Sequence, residues 1–201
     1  MKILNNLLPL TRFAPTKCTE SVFHRTKGRI LASAGLIFSL NILWLSFAPL
    51  TSAAQTWGQQ DIDMDGEANG DFSGTSVSMP DNNTVAIGAT GNDVNGSGAG
   101  HVRIYRRSGS TWVQKGADID GEAANDASGY SVSMPDSNTV AIGAPYNDGN
   151  GTDAGHVRIY RWNGSAWVQK GADMDSEAAW DQSGTSVSMP DSNTVAIGAY
   201  L

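Results

Sequence analysis

The chain reads as all-β, an incomplete β-propeller of four-stranded antiparallel blades preceded by a helical signal or anchor segment. Three observations predict this. A 55-residue recurrence runs through the second part of the chain: Val77, Val132 and Val187 keep that spacing, as do Gly88, Gly143 and Gly198, and residues 61–115 match residues 116–170 at 39 of 55 positions. Each unit contains short alternating segments bounded by Gly, Pro, Asn and Asp. No stretch after Gln55 carries a helical period.

Residues 1–54 are a different object from the rest. They hold six basic side chains against one acid, whereas residues 55–201 hold seven against nineteen. Lys17, Arg25, Lys27 and Arg29 precede an apolar run at residues 30–50, followed by the small residues Ser52, Ala53 and Ala54. This is the order of a secretory signal with a long basic n-region, and cleavage is expected near Ala53 or Ala54. The run also has about the 20 residues that a spanning helix needs, so an uncleaved anchor is the alternative. Either way the remainder is expected to be secreted or displayed on the cell surface. Cys18 is the only cysteine and lies in the leader, so the exported part is held by packing or metal and not by a disulfide.

Within the unit at 116–170 four strands are expected. Residues 128–134 and 139–144 are apolar or small on both faces, while residues 156–162 and 166–170 carry Arg, Gln and Lys. Pro135 to Asn138 and Asn163 to Ser165 are tight-turn sequences that join the first and last pairs into hairpins. A gradient from a crowded interior strand to a wet edge, repeated every 55 residues, suggests propeller blades. A solenoid needs shorter coils, and a sandwich does not repeat so closely. The chain then divides into a partial blade at 57–60, two whole blades at 61–115 and 116–170, and a truncated one at 171–201. Rings usually have four to eight blades, so a fragment of a larger protein is expected, with open sheet edges prone to self-association.

The segments SGYSVSM, starting at Ser128, and TVAIGAPYNDGNGTDAGHVRIY, ending at Tyr160, resemble the FG-GAP repeat of the integrin α-chain amino-terminal propeller. Ser128, Gly129 and Tyr130 lie near the FG position, and Gly143, Ala144 and Pro145 form the GAP. The similarity covers residues 57–201, with Ser in place of Phe and with Thr90 and Tyr200 in place of the GAP proline. What the resemblance implies is a β-propeller in a secreted or surface protein that binds other molecules.

Acidic residues gather where the loop after the second strand and the link to the next blade are expected on one face. Asp61, Asp63 and Asp65 open a D-x-D-x-D-G pattern, and Asp71, Asp118, Asp120, Asp126, Asp173, Asp175 and Asp181 recur at matching positions. Alternating carboxylates before a glycine suit Ca2+, which makes these ten aspartates the candidate metal ligands. Against this, position twelve is Phe72 and not Glu, and the turn between the first two strands, where the resemblance implies a calcium loop, is only MPDSNT. The competing reading is that Asp, Asn and Gly form turns on a soluble surface. His101 and His156 recur at the start of the third strand and are expected to be satisfied strand histidines. Trp180 replaces Asn125 in the acidic loop and is the candidate ligand-facing aromatic.

The net charge of −7 excludes a basic nucleic-acid-binding domain. No G-x-S-x-G, H-E-x-x-H or P-loop sequence occurs, so no enzyme is expected. The favoured function is extracellular binding or adhesion, with a protein or glycan partner and membrane contact only through an uncleaved leader. A ligand-free structural repeat, or the accessory propeller of a larger secreted hydrolase, are the alternatives.

Overall fold

The computed structural model describes residues 4–6, 57–59 and 61–200. The expected targeting helix, its apolar run at 30–50 and Cys18 lie outside the described residues. Two short strands, β1 (Leu4–Asn6) and β2 (Trp57–Gln59), form a two-stranded sheet of their own. Among the described residues no helix is long and apolar enough to cross a membrane.

Three consecutive antiparallel sheets follow, consistent with propeller blades. The first holds β3 (Ser73–Asp81), β4 (Thr84–Ala89), β5 (His101–Ser108) and β6 (Thr111–Gln114), paired in chain order, and β7 (Ile119–Asp120) pairs with β5. The second repeats this with β8 (Ser131–Asp136), β9 (Thr139–Ala144), β10 (His156–Trp162), β11 (Trp167–Gln169) and β12 (Met174–Asp175). The third is the pair β13 (Ser186–Asp191) and β14 (Thr194–Gly198).

The strands β9 and β10 have the expected bounds, but the first strand departs from expectation. It starts at Ser131 and runs on through Pro135 to Asp136, which pairs with Thr139. A register shift between Ser133 and Asp136 accommodates the proline, which lacks an N–H to donate to the ladder. The turn is therefore only Ser137 and Asn138. Asp136 closes it, its carboxylate accepting from Asn138 N–H at 2.7 Å and from the Thr139 hydroxyl at 3.3 Å.

The outermost strand also differs. β5 pairs with β6 through Tyr105–Ser108 and with β7 through His101 and Val102, so β6 and β7 are one edge strand broken at residues 115–118. The second sheet repeats the break between β11 and β12. Asp120 and Asp175 therefore lie in strands, opposite His101 and His156 in register, and not in inter-sheet loops.

The core lies between sheets. In TVAIGA the branched residues and the small ones alternate, so β4 and β9 present a large face and a small face, and both strands are buried along their whole length. Met134, Val140 and Ile142 on the large face of the second sheet pack with Ala86, Val102, Ile104 and Ile119 of the first. Ala141 and Val157 pack in turn with Met189 of the third sheet. Burying one such branched side chain contributes about 1.5–3 kcal/mol. The first strand of the first sheet is less buried than the gradient along the unit implies: Val77 is 49% exposed, whereas Val132 and Val187 at the matching positions pack against the clusters between sheets.

Small-face glycines bring the sheets into backbone contact. A Cβ on Gly88 would lie 2.1 Å from the Gly129 carbonyl oxygen, and one on Gly143 would lie 2.1 Å from that of Gly184. Gly129 itself holds φ 87, a conformation that L side chains rarely adopt. The Ser76 and Ser131 hydroxyls donate to these same carbonyls at 2.6 and 2.7 Å. Each joint therefore pairs the GAP glycine of one repeat with the FG-position glycine of the next.

Candidate functional site

Two kinds of place gather chemistry, the first of them between the first and second sheets. One is the loop surface. The loop at 90–100 and the link at 121–128 pack side by side, as expected: Gly100 and Ser128 form a parallel bridge, Ser97 O accepts from Asn125 N–H at 2.8 Å, and Gly98 O accepts from Ala127 N–H at 3.0 Å. The next repeat does the same through Gly155 and Ser183. A cleft of about 440 Å³ opens here, lined by Phe72, Tyr130 and Tyr146 with Asn125 and Asp153 among the polar groups. The Tyr130 and Tyr146 rings meet edge-to-face at 6.2 Å, and Phe72 is 71% exposed.

Trp180 is 63% exposed and sits at φ 73 on the corresponding link of the third repeat, but it is not among the cleft-lining residues. The sequence carried a signal for the aromatic residues that do line it. Phe72 stands where the other copies have Ala127 and Gln182, and Tyr130 stands where they have Thr75 and Thr185. The cleft is built at positions where the copies differ.

The ten candidate aspartates fall into separate environments. Asp61 pairs with Arg107 at 3.3 Å, and the carbonyl of Asp65 accepts from Arg103. Asp63, Asp118 and Asp173 each accept from the glutamine four residues earlier, Gln59, Gln114 and Gln169. Asp71, Asp126 and Asp181 close the inter-sheet turns by accepting from the backbone N–H three residues back. Asp126 also accepts from the buried Asn147 amide at 2.9 Å, tying its turn to the loop that follows β9.

The second place is a cluster seen twice at the sheet joints. Glu67, His101 and Asp118 bring one ligating atom each to within 4.8 Å of one another, and so do Glu122, His156 and Asp173. Each His comes from a third strand, each Asp from the break in the outer strand, and each Glu from the link ahead of the sheet. Among the described residues these are the two groups of three or more such side chains that could share an ion, and both include histidine. Of the ten candidates, only Asp118 and Asp173 belong to them.

The histidines are not the satisfied strand residues expected. His101 is 1% exposed and neither ring nitrogen has a hydrogen-bond partner; His156 is equally buried, and its Nε2 has none. His156 Nδ1 faces Glu122, Asp173 and Asp175 oxygens at 3.9, 3.9 and 3.8 Å. Burial, helped by the Arg158 cation, holds His156 below its ordinary pKa; Glu122 and Asp173 pull the other way and lose.

An FG-GAP repeat family profile matches residues 117–160. Residues 117–160 are thus an FG-GAP repeat. The matched stretch spans β7 to β10 up to Tyr160, and so includes Gly129, Gly143 and, of the cleft lining, Asn125, Tyr130, Tyr146 and Asp153. No curated protein matches the chain.

Proposed function

We propose that this FG-GAP repeat protein is an exported, non-catalytic binding module whose sheets are blades of a propeller and whose ligand is an extracellular protein or glycan. The aromatic cleft on the loop surface carries the proposal. Phe72, Tyr130 and Tyr146 offer ring faces and edges beside the polar Asn125 and Asp153, and aromatic residues of this kind anchor recognition at low entropic cost. A sugar ring, with one apolar face and a polar rim, suits that lining, so glycans are the first class to test. The basic and apolar leader, read as a cleaved signal or an anchor, supports export.

A panel of immobilised glycans and surface proteins, probed with the purified chain, tests the proposal. Tyr130→Ala and Tyr146→Ala should abolish any hit while leaving the circular dichroism unchanged. Binding that survives both substitutions would move the ligand elsewhere. A panel with no hits favours the second reading, a structural repeat without a ligand, for which the 39 identities in 55 between neighbouring copies speak. Fusion of residues 1–60 to a reporter tests export separately.

A further inference from the structure

We propose that each joint between sheets holds a first-row divalent cation of the zinc type, bound by Glu67, His101 and Asp118 at one joint and by Glu122, His156 and Asp173 at the next. The inference is independent of the ligand cleft. It rests on two observations of different kinds. One is the convergence of three ligating side chains from three separate elements, repeated at both joints. The other is that a fully buried imidazole faces the carboxylates without hydrogen bonding to any of them.

The distances favour a shared ion over direct contact. His101 Nδ1 lies 3.6 Å from Asp118 Oδ2, and His156 Nδ1 lies 3.8–3.9 Å from three carboxylate oxygens, all too long for a hydrogen bond. Two ligands on one zinc, with bonds of about 2.0–2.2 Å, sit roughly 3–3.5 Å apart. The three ligating atoms of each cluster lie within 4.8 Å of one another, so an ion has to draw the widest pair together by about 1 Å, and Glu67 and Glu122, each 43% exposed, have room for that movement.

Each arginine beside the site orients a ligand. Arg158 forms an ion pair with Glu122 Oε1 at 3.3 Å, which leaves Oε2 as the oxygen nearest His156, and its other terminal nitrogen donates to the Asp120 carbonyl at 2.8 Å. Arg103 holds Glu67 and the Asp65 carbonyl in the same way. The arginine charge opposes a cation, but three carboxylates surround His156 and outweigh it.

Donor chemistry selects the class of ion. One imidazole with carboxylates suits zinc and its first-row neighbours, whereas calcium takes six to eight oxygens and gains little from a ring nitrogen. His101 has one carboxylate within 4 Å and His156 has three, so the second joint should bind first.

The test is a competition titration of the full chain with Zn2+ against a chromogenic chelator, after stripping with EDTA. Sites are counted as the difference between wild type and variants, so binding elsewhere in the chain cancels. His156→Ala should lose one equivalent and His101→Ala another, with millimolar Ca2+ displacing neither. Glu122→Gln and Asp173→Asn, which change no packing volume, should each weaken the tighter equivalent at least about tenfold in a protein of unchanged circular dichroism. X-ray absorption of the loaded protein should show one imidazole nitrogen per bound zinc. The proposal is overturned if the variants bind as many equivalents as wild type, if Ca2+ displaces Zn2+ at equal concentration, or if nothing binds more tightly than about 100 μM.

Discussion

Substituting alanine for Gly143 tests the backbone joint between the second and third sheets. Gly143 lies in a strand outside the left-handed region, so by conformational entropy alone alanine would stabilise by about 0.4–1 kcal/mol. Contact reverses the sign. The new Cβ would sit 2.1 Å from the Gly184 carbonyl oxygen, 2.5 Å from Ser131 Oγ and 2.9 Å from the Gly184 carbonyl carbon. Relief requires the Gly184 backbone to withdraw by roughly 1 Å, which breaks its 2.7 Å hydrogen bond from Ser131. Overpacking costs about 1–3 kcal/mol and the lost bond about 1 kcal/mol, for a net loss of about 2–3 kcal/mol. At about 2–4 °C per kcal/mol, Tm falls by roughly 5–10 °C.

Gly198 is the internal control, because its Cβ would press only on the movable Ser186 hydroxyl at 2.3 Å, with the next atom at 3.6 Å. Thermal melts and urea titrations of both variants give the answer. Gly143→Ala should be clearly destabilised, and Gly198→Ala should stay within about 1 kcal/mol of the parent. A Gly143→Ala protein as stable as wild type, or equal losses at both positions, would refute the close-contact account.

Three other outcomes are expected. Asp126→Ala removes acceptors from Ala123 N–H and from the buried Asn147 amide, and should cost about 2–3 kcal/mol in urea unfolding. Trp180→Asn places a residue that tolerates φ 73, as Asn125 does at φ 69, and should raise stability by about 1 kcal/mol in the same assay. His156 has a folded-state pKa below the ordinary 6.5, so the unfolded chain takes up the proton first; stability is full above about pH 6.5 and falls as the pH drops below it. In metal-free buffer, His156→Asn should flatten the dependence of Tm on pH between about 5 and 7.

Local signals in the sequence carried the sheets. The alternation in TVAIGA and HVRIYRW gave the bounds of β9 and β10, and the 55-residue period gave the succession of similar sheets. The break between β6 and β7 was hidden, because Ile119–Asp120 is too short for periodicity and pairs only through β5. The histidine clusters were hidden for a related reason. Glu122 and His156 are 34 positions apart and on different elements, so no motif spacing connects them. Near-identity of the copies also made recurrence look like mere inheritance. The aromatic cleft was legible in principle, since Phe72 and Tyr130 are departures from the copy pattern, but only folding shows that the two departures meet.

The seams have a mechanical consequence. Hydroxyls of one sheet accept from the backbone of the next, Ser78 from Met134 N–H and Ser133 from Met189 N–H, both at 2.9 Å, so among the described residues these bonds join each sheet to its neighbour. Cohesion of that nearest-neighbour kind behaves like a row of clasps. Pulled from its ends in a force spectrometer, the protein should give way one unit at a time, in a sawtooth with a step of about 55 residues for each of the two whole units at 61–115 and 116–170.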